Sequence, residues 1–269
     1  MTFLALIKGT IQEAIAKKII LGFFALSSII ILIFLILVNT DSIEGMVEMM
    51  QASGEGGMKE VIVGFEVLIV NLSYLFIITI SLIAVSSFIP SMVEKGNIDL
   101  LLSKPVSRFE ILMGKFVGGI ALIFINLAYL IVSIWLILSI KSGFWHFQFL
   151  YTIIWLTVSF AVIYSMVILL GLTTQSTILT AIITLFLVLI VTPLLGAREG
   201  IAEMFKNDVI KFVLDFFYYI LPKPGGINDI SMRMLTDQPI ESWQPLITSL
   251  LFMLTMLTLS VYYFKKKDY

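Results

Sequence analysis

The sequence predicts an all-α, polytopic membrane protein with six spans, and three observations lead there. Of its 269 residues, 59% are hydrophobic and only 13% charged, with a mean hydropathy of +1.07. A soluble domain is about a quarter charged. The apolar residues gather into runs of about 20, the length that crosses roughly 30 Å of hydrocarbon. Between the runs lie stretches rich in Gly, Pro, Lys and Glu, which read as turns and aqueous loops.

Residues 3–18 come first. Leu4, Ile7, Ile11 and Ile15 recur at helical spacing while Lys8, Gln12 and Glu13 fall elsewhere, the pattern of a helix lying in the membrane interface. A plain extension of the first span is the alternative. Lys8, Lys17 and Lys18 precede the apolar run 19–38. A secretory signal core is only about 7–15 residues, so this run is expected to be a retained first span.

Residues 39–60 are polar and acidic, and Ser53-Gly-Glu-Gly-Gly57 interrupts any helix there. The second span is placed at 67–89. A carboxylate at mid-bilayer costs about 2.5–3.5 kcal/mol, so Glu66 is expected at the outer boundary. Asn71, one turn deeper, is expected to hydrogen-bond to a neighbouring helix. Pro90 marks a distortion near the end of that span.

The third span is placed at 113–140, followed by a short aqueous turn containing Lys141, Trp145 and His146. Phe149 to Gly196 is almost continuously apolar, and one helix of that length would reach about 70 Å. It has to turn, and Thr173-Thr-Gln-Ser-Thr177 is the polar place to do so, giving spans 149–172 and 178–196. In the outer loop 197–245, Val209, Phe212, Val213, Phe216 and Ile220 make an apolar stripe. Lys211 and Asp215 are spaced for an i,i+4 ion pair. An interfacial or partly re-entrant helix is expected there, ended by Pro222 and Pro224-Gly-Gly. The sixth span, 246–264, stops at Lys265-Lys-Lys267.

Six spans put both termini on one side, together with loop 91–115. Ten of the 17 Lys and Arg residues share that side. The positive-inside rule makes it cytoplasmic, in a cell inner (cytoplasmic) membrane. The net charge of −1 and pI near 5.9 argue against nucleic acid, which needs a concentrated basic surface. The absence of cysteine excludes disulfides and thiolate metal sites. Met46, Met49, Met50 and His146 are thioether and imidazole groups of the kind that suit copper(I). The methionines are equally spaced as a packing face of a surface helix, and no metal site is expected. Glu66 and scattered Asn, Ser and Thr in the spans make no catalytic constellation. The chain also lacks the G-x-x-x-x-G-K-[ST] loop that cradles nucleotide phosphates. An enzyme is therefore not expected.

The longest charged interruption of the first two thirds is Ser91–Lys115. Lys95-Gly96-Asn97 is a turn signal. Ile98, Leu100, Leu101 and Leu102 with Asp99 make a short amphipathic helix, and Lys104-Pro105 stops it. Ser107-Arg-Phe-Glu110 is a capping box for the third span. Gly114 and Gly118 have small-xxx-small spacing.

This segment, Glu94-Lys-Gly-Asn-Ile-Asp-Leu-Leu-Leu-Ser-Lys-Pro105-Val-Ser-Arg108 followed by Gly114-Lys115, resembles the cytoplasmic loop of type 2 ABC exporter permeases. Within them it is most similar to the permease type associated with multicopper-enzyme maturation. Asn97 and Ile98 depart mildly from the family's pattern. The amphipathic start resembles the same family's elbow helix.

The resemblance implies a cytoplasmic coupling helix between spans two and three, docked in a groove of a separate ATPase subunit. It also implies a second permease chain, identical or different, and ATP with magnesium held by the partner rather than by this chain. Glu94, Gly96, Asn97, Asp99, Leu101, Pro105 and Arg108 would form the coupling element. The implied function is a permease subunit moving an unidentified substrate by ATP-driven alternating access. Two other readings stand beside it: a non-transporting subunit acting mechanically on an extracytoplasmic partner, and an ion-coupled secondary transporter.

Overall fold

The computed structural model describes residues 3–54, 57–103, 106–205 and 208–267, and among these there are helices, turns and loops but no strand. Among the described residues, six helices are long and apolar enough to cross a membrane. Helix α1 is Phe3–Ala16, and α2, the first candidate span, starts at Ile19 and ends at Leu37. Helix α3 is Thr40–Ser53. Helix α4, Met58–Val93, is the second candidate span. It has a π-helical segment at Ile77–Ser81 and a break at Ser86 and Ser87. Pro90 accounts for the break, since it offers no N–H to the carbonyl four residues earlier.

A six-residue helix, α5, follows at Asn97–Leu102. The next candidate spans are α6 (Arg108–Ser142), α7 (Gln148–Thr174) and α8 (Thr177–Gly196), the last with a π-helical segment at Leu187–Val191. Helices α9 (Arg198–Phe205), α10 (Asp208–Ile220) and α11 (Pro224–Leu235) lead to the sixth candidate span, α12, Gln244–Lys266.

Helix α7 is the hub. It packs against α6, α8, α11, α12 and the C-terminal end of α4, and it is the most enclosed of the six spans. Its contact with α6 is close: a Cβ placed on Gly119 would meet the Tyr164 ring at 2.5 Å. Tyr164 is fully buried, and its hydroxyl donates to the Lys115 carbonyl at 3.3 Å. Helix α2 holds to α6 through polar groups as well. Ser27 and Asn126, both buried, bond reciprocally at 3.1 and 3.3 Å, and Ser28 meets Tyr129 at 3.0 Å. Inside hydrocarbon such pairs hold helices that no hydrophobic force can distinguish from lipid.

Several expectations are corrected. Asn71 is on the exposed face of α4 rather than turned to a neighbour. Asp215 pairs with Arg198, at 2.9 Å, and not with Lys211. Pro224-Gly-Gly opens a helix instead of only ending one, because proline at the first helical position loses no hydrogen bond. That helix, α11, buries Ile227, Ile230 and Ser231 against α7 and α4. Helix α10 buries none of its residues, and Val209 and Phe212 are 69% and 70% exposed.

Contacts between distant residues sort the bundle into two ends. Lys17, Ser91, Lys115 and the end of α12 meet at one of them. Glu66, His146, Lys59 and Asp237 meet at the other.

Candidate functional site

At the first end the connector between α4 and α6 is built upward from its turn. Gly96 has φ +90, a left-handed conformation that favours glycine, and its N–H donates to Asp99 Oδ2 at 3.2 Å. The Glu94 carbonyl accepts from the N–H groups of Asn97 and Ile98. Asn97 Nδ2 donates to the Ser91 carbonyl at 2.8 Å, which folds α5 back on the end of α4. Ile98 is 2% exposed and pegs α5 to the domain, while Glu94, Lys95, Gly96, Asn97 and Asp99 face outward. Lys104 and Pro105 lie outside the described residues, as do the side chains of Leu100, Leu101 and Leu102.

The exit is equally defined. Ser107 caps α6 by accepting from Glu110 N–H, and Glu110 accepts from Ser107 N–H at 2.8 Å, the reciprocal capping box. Arg108, one residue on, turns to the last span. Its Nη1 donates to the carbonyls of Phe264 at 2.6 Å and Lys267 at 2.7 Å, and its guanidinium lies over the Phe264 ring. These are the unsatisfied carbonyls of a helix C-terminus, where a cation is favoured. Arg108 thus fastens the start of α6 to the end of α12, a contact that its local sequence does not announce.

Beneath the connector lies a knot of charge that sequence reasoning missed. Glu13 of α1 pairs with Lys17 at 2.8 Å and with Lys115 of α6. Ser91, at the end of α4, donates to Glu13 at 3.1 Å and accepts from Lys17 at 2.8 Å. The fully buried Phe88 ring has Lys17 at 5.5 Å and Lys115 at 6.0 Å. Burial pushes the Glu13 carboxyl up, but the two lysines outweigh it and hold the group below its usual range. One carboxylate therefore ties together α1 and the two helices that carry the connector.

The glycines explain how α1 comes so near. A Cβ on Gly114 would lie 2.6 Å from Leu6 Cβ, and one on Gly118 2.7 Å from Thr10 Cβ. The Gly114/Gly118 face is the seat of α1, and Thr10, buried there, directs its hydroxyl at the Leu6 and Gly114 carbonyls.

At the opposite end the structure joins two residues that the sequence left apart. Glu66 and His146, expected at the boundary and in a solvated turn, are 1% and 3% exposed, and Glu66 Oε2 lies 2.5 Å from His146 Nδ1. Burial holds the imidazole below its usual range, against the pull of Asp237 and with the help of Lys59. Trp135 Nε1–H donates to the His146 carbonyl at 3.1 Å, and the Phe144 ring stacks at 5.9 Å. Met46 and Met49 are exposed on α3 and Met50 packs on the core, so His146 has turned to a carboxylate. No cluster of three or more His, Cys, Asp or Glu suited to a metal ion occurs among the described residues.

No curated protein matches the chain. A family model described as ABC-2 family transporter protein matches residues 4–269. With six helices able to span a membrane beneath that match, the chain is an integral membrane protein and belongs to the ABC-2 family of transporters.

Proposed function

We propose that this chain is the permease subunit of an ABC transporter, working as a pair of permease chains driven by separate ATPase subunits. Its termini and connector face the cytoplasm, where ten of its 17 basic residues lie. Helix α5 is the coupling helix and α1 the elbow. The observation that carries this reading is the construction of the connector. An exposed polar surface on α5 stands on an ion-paired base that ties it to α1, α4 and α6, with Arg108 extending the tie to α12. A push on α5 is thus delivered to four helices at once rather than absorbed by a loose loop. Glu94, Gly96, Asn97 and Asp99 present the face that the ATPase would grip; Leu101 and Pro105 follow them in the sequence of the same element. Nucleotide and magnesium would be held by that partner, and the substrate is unidentified.

Reversing the charge of the exposed Glu94 tests this. Glu94→Lys should lower the ATPase co-purified with the chain, or its stimulation, by tenfold or more, with thermal unfolding of the membrane domain unchanged. A variant that retains full ATPase association and stimulation contradicts the assignment.

A further inference from the structure

The buried Glu66–His146 contact has no part in ATPase coupling, for it lies at the other end of the bundle. It joins the outer part of α4 to the turn between α6 and α7. His146 is the chain's single histidine. Its Nε2 is buried and has no hydrogen-bond partner among the described residues. Nδ1 and Glu66 Oε2 are close enough to share one proton, so Nε2 is the pair's second proton site. With both protons the pair is neutral, whichever atom holds the shared one. With one it is a net negative charge enclosed by protein, which costs several kcal/mol. A closed contact therefore retains both protons, and a contact opened to water can release one to solvent, leaving a carboxylate and a neutral imidazole.

The surroundings do not substitute for that proton. Lys59 and Asp237, the charges that act on the imidazole, are spent on each other at 2.7 Å. On the elements packed around the pair, Asp41, Glu44, Glu48 and Asp229 are exposed. Lys141 is engaged by the Leu35 and Val38 carbonyls, and Arg233 by Glu241. The helix that carries Glu66 also has a place to bend. Its π-helical segment Ile77–Ser81 begins three turns further in, and helices kink at such segments. We propose that Glu66 and His146 form a proton-binding site that latches the outer part of α4 to the α6–α7 turn, taking up a proton when that end closes and releasing one when the end opens. This rests on the chain's being a membrane domain and not on the identity of the motor.

The single histidine and the absence of cysteine make the test direct. The full chain, labelled with 15N-histidine in lipid nanodiscs, is titrated from about pH 5 to about pH 10, beyond the range in which a free imidazole changes charge. In the wild type the Nδ1 hydrogen bond to Glu66 should be lost as pH rises, leaving a neutral imidazole beside a free carboxylate. In Glu66→Gln, which has no carboxylate to exchange a proton with, the imidazole should hold one proton and show no such transition over the same range. Spin labels on Leu68→Cys and Ile140→Cys, both exposed positions on α4 and α6, should show a longer distance growing in with the wild-type proton loss. The labelled wild-type background decides the matter even where Glu66→Gln fails to fold. A wild-type Nδ1 hydrogen bond to Glu66 that persists over the whole range overturns the proposal. So does identical titration in Glu66→Gln, or proton release with an unchanged spin–spin distance.

Discussion

Replacing Gly114 and Gly118 together by alanine should lift α1 from α6. The added Cβ atoms would stand 2.6 Å from Leu6 and 2.7 Å from Thr10, so α1 has to withdraw by roughly 0.7–0.8 Å to regain ordinary contact at 3.4 Å. Overpacking of this kind costs about 1–3 kcal/mol at each site, while alanine returns up to about 1 kcal/mol of helix propensity. The net loss for the pair is about 2 kcal/mol, which for a chain of this size is a fall of about 4–8 °C in Tm. Withdrawal also separates Glu13 from Lys115, so the connector's base should loosen together with the fold. The assay is thermal unfolding in nanodiscs, with hydrogen exchange followed across residues 88–99. Gly64→Ala is the control, since a Cβ there meets nothing within 4 Å. Double-alanine protein as stable as Gly64→Ala, with unchanged exchange in the connector, would refute the close seating of α1.

Three further outcomes are expected. Arg108→Ala should cost about 1.5–3 kcal/mol through lost charge-assisted bonds and speed hydrogen exchange at residues 263–267. Arg108→Lys should recover only part of this, because a point ammonium cannot span several carbonyls. The Glu13 carboxyl is lowered in the folded chain, so its contribution is present above the ordinary carboxylate value of 4.5 and disappears as pH falls below it. Glu13→Gln should remove that acid-side loss from a plot of Tm against pH. Lys223 is pushed down to about 8 from 10.5, first by burial and then by Arg198. Between those values the unfolded chain holds a proton that the folded one has released, so stability should rise with pH across that window. Lys223→Met should flatten the rise.

The spans were legible because hydrocarbon imposes one simple demand, a run of apolar residues long enough to cross it. The capping box at Ser107 and Glu110 was legible for a similar reason, being complete within four residues. What escaped was whatever depended on partners far along the chain. Glu66 and His146 are 80 positions apart, and each alone suggests solvation. Lys211 was a reasonable local partner for Asp215, yet Arg198 reaches that carboxylate from the preceding helix and also stacks on the Tyr218 ring at 3.6 Å. Helix α11 was hidden because Pro-Gly-Gly reads as a stop, although proline suits the first turn of a helix. Of the candidate site, the turn and the short helix were visible in Gly96 and the Ile98–Leu102 pattern. Its anchorage through Glu13, Lys17, Ser91 and Lys115 was not, since it converges from three separate segments.

The proposed entry of force into this membrane domain through α5 is open to a site-specific cross-link. The chain has no cysteine, so Asp99→Cys on the exposed face of α5 can carry a photoactivatable cross-linker in native membranes. Phe147→Cys, at the opposite end, serves as the control. The account predicts an ATPase subunit captured from Asp99→Cys and none from Phe147→Cys. Capture of no ATPase at position 99, or equal capture at both positions, would contradict it.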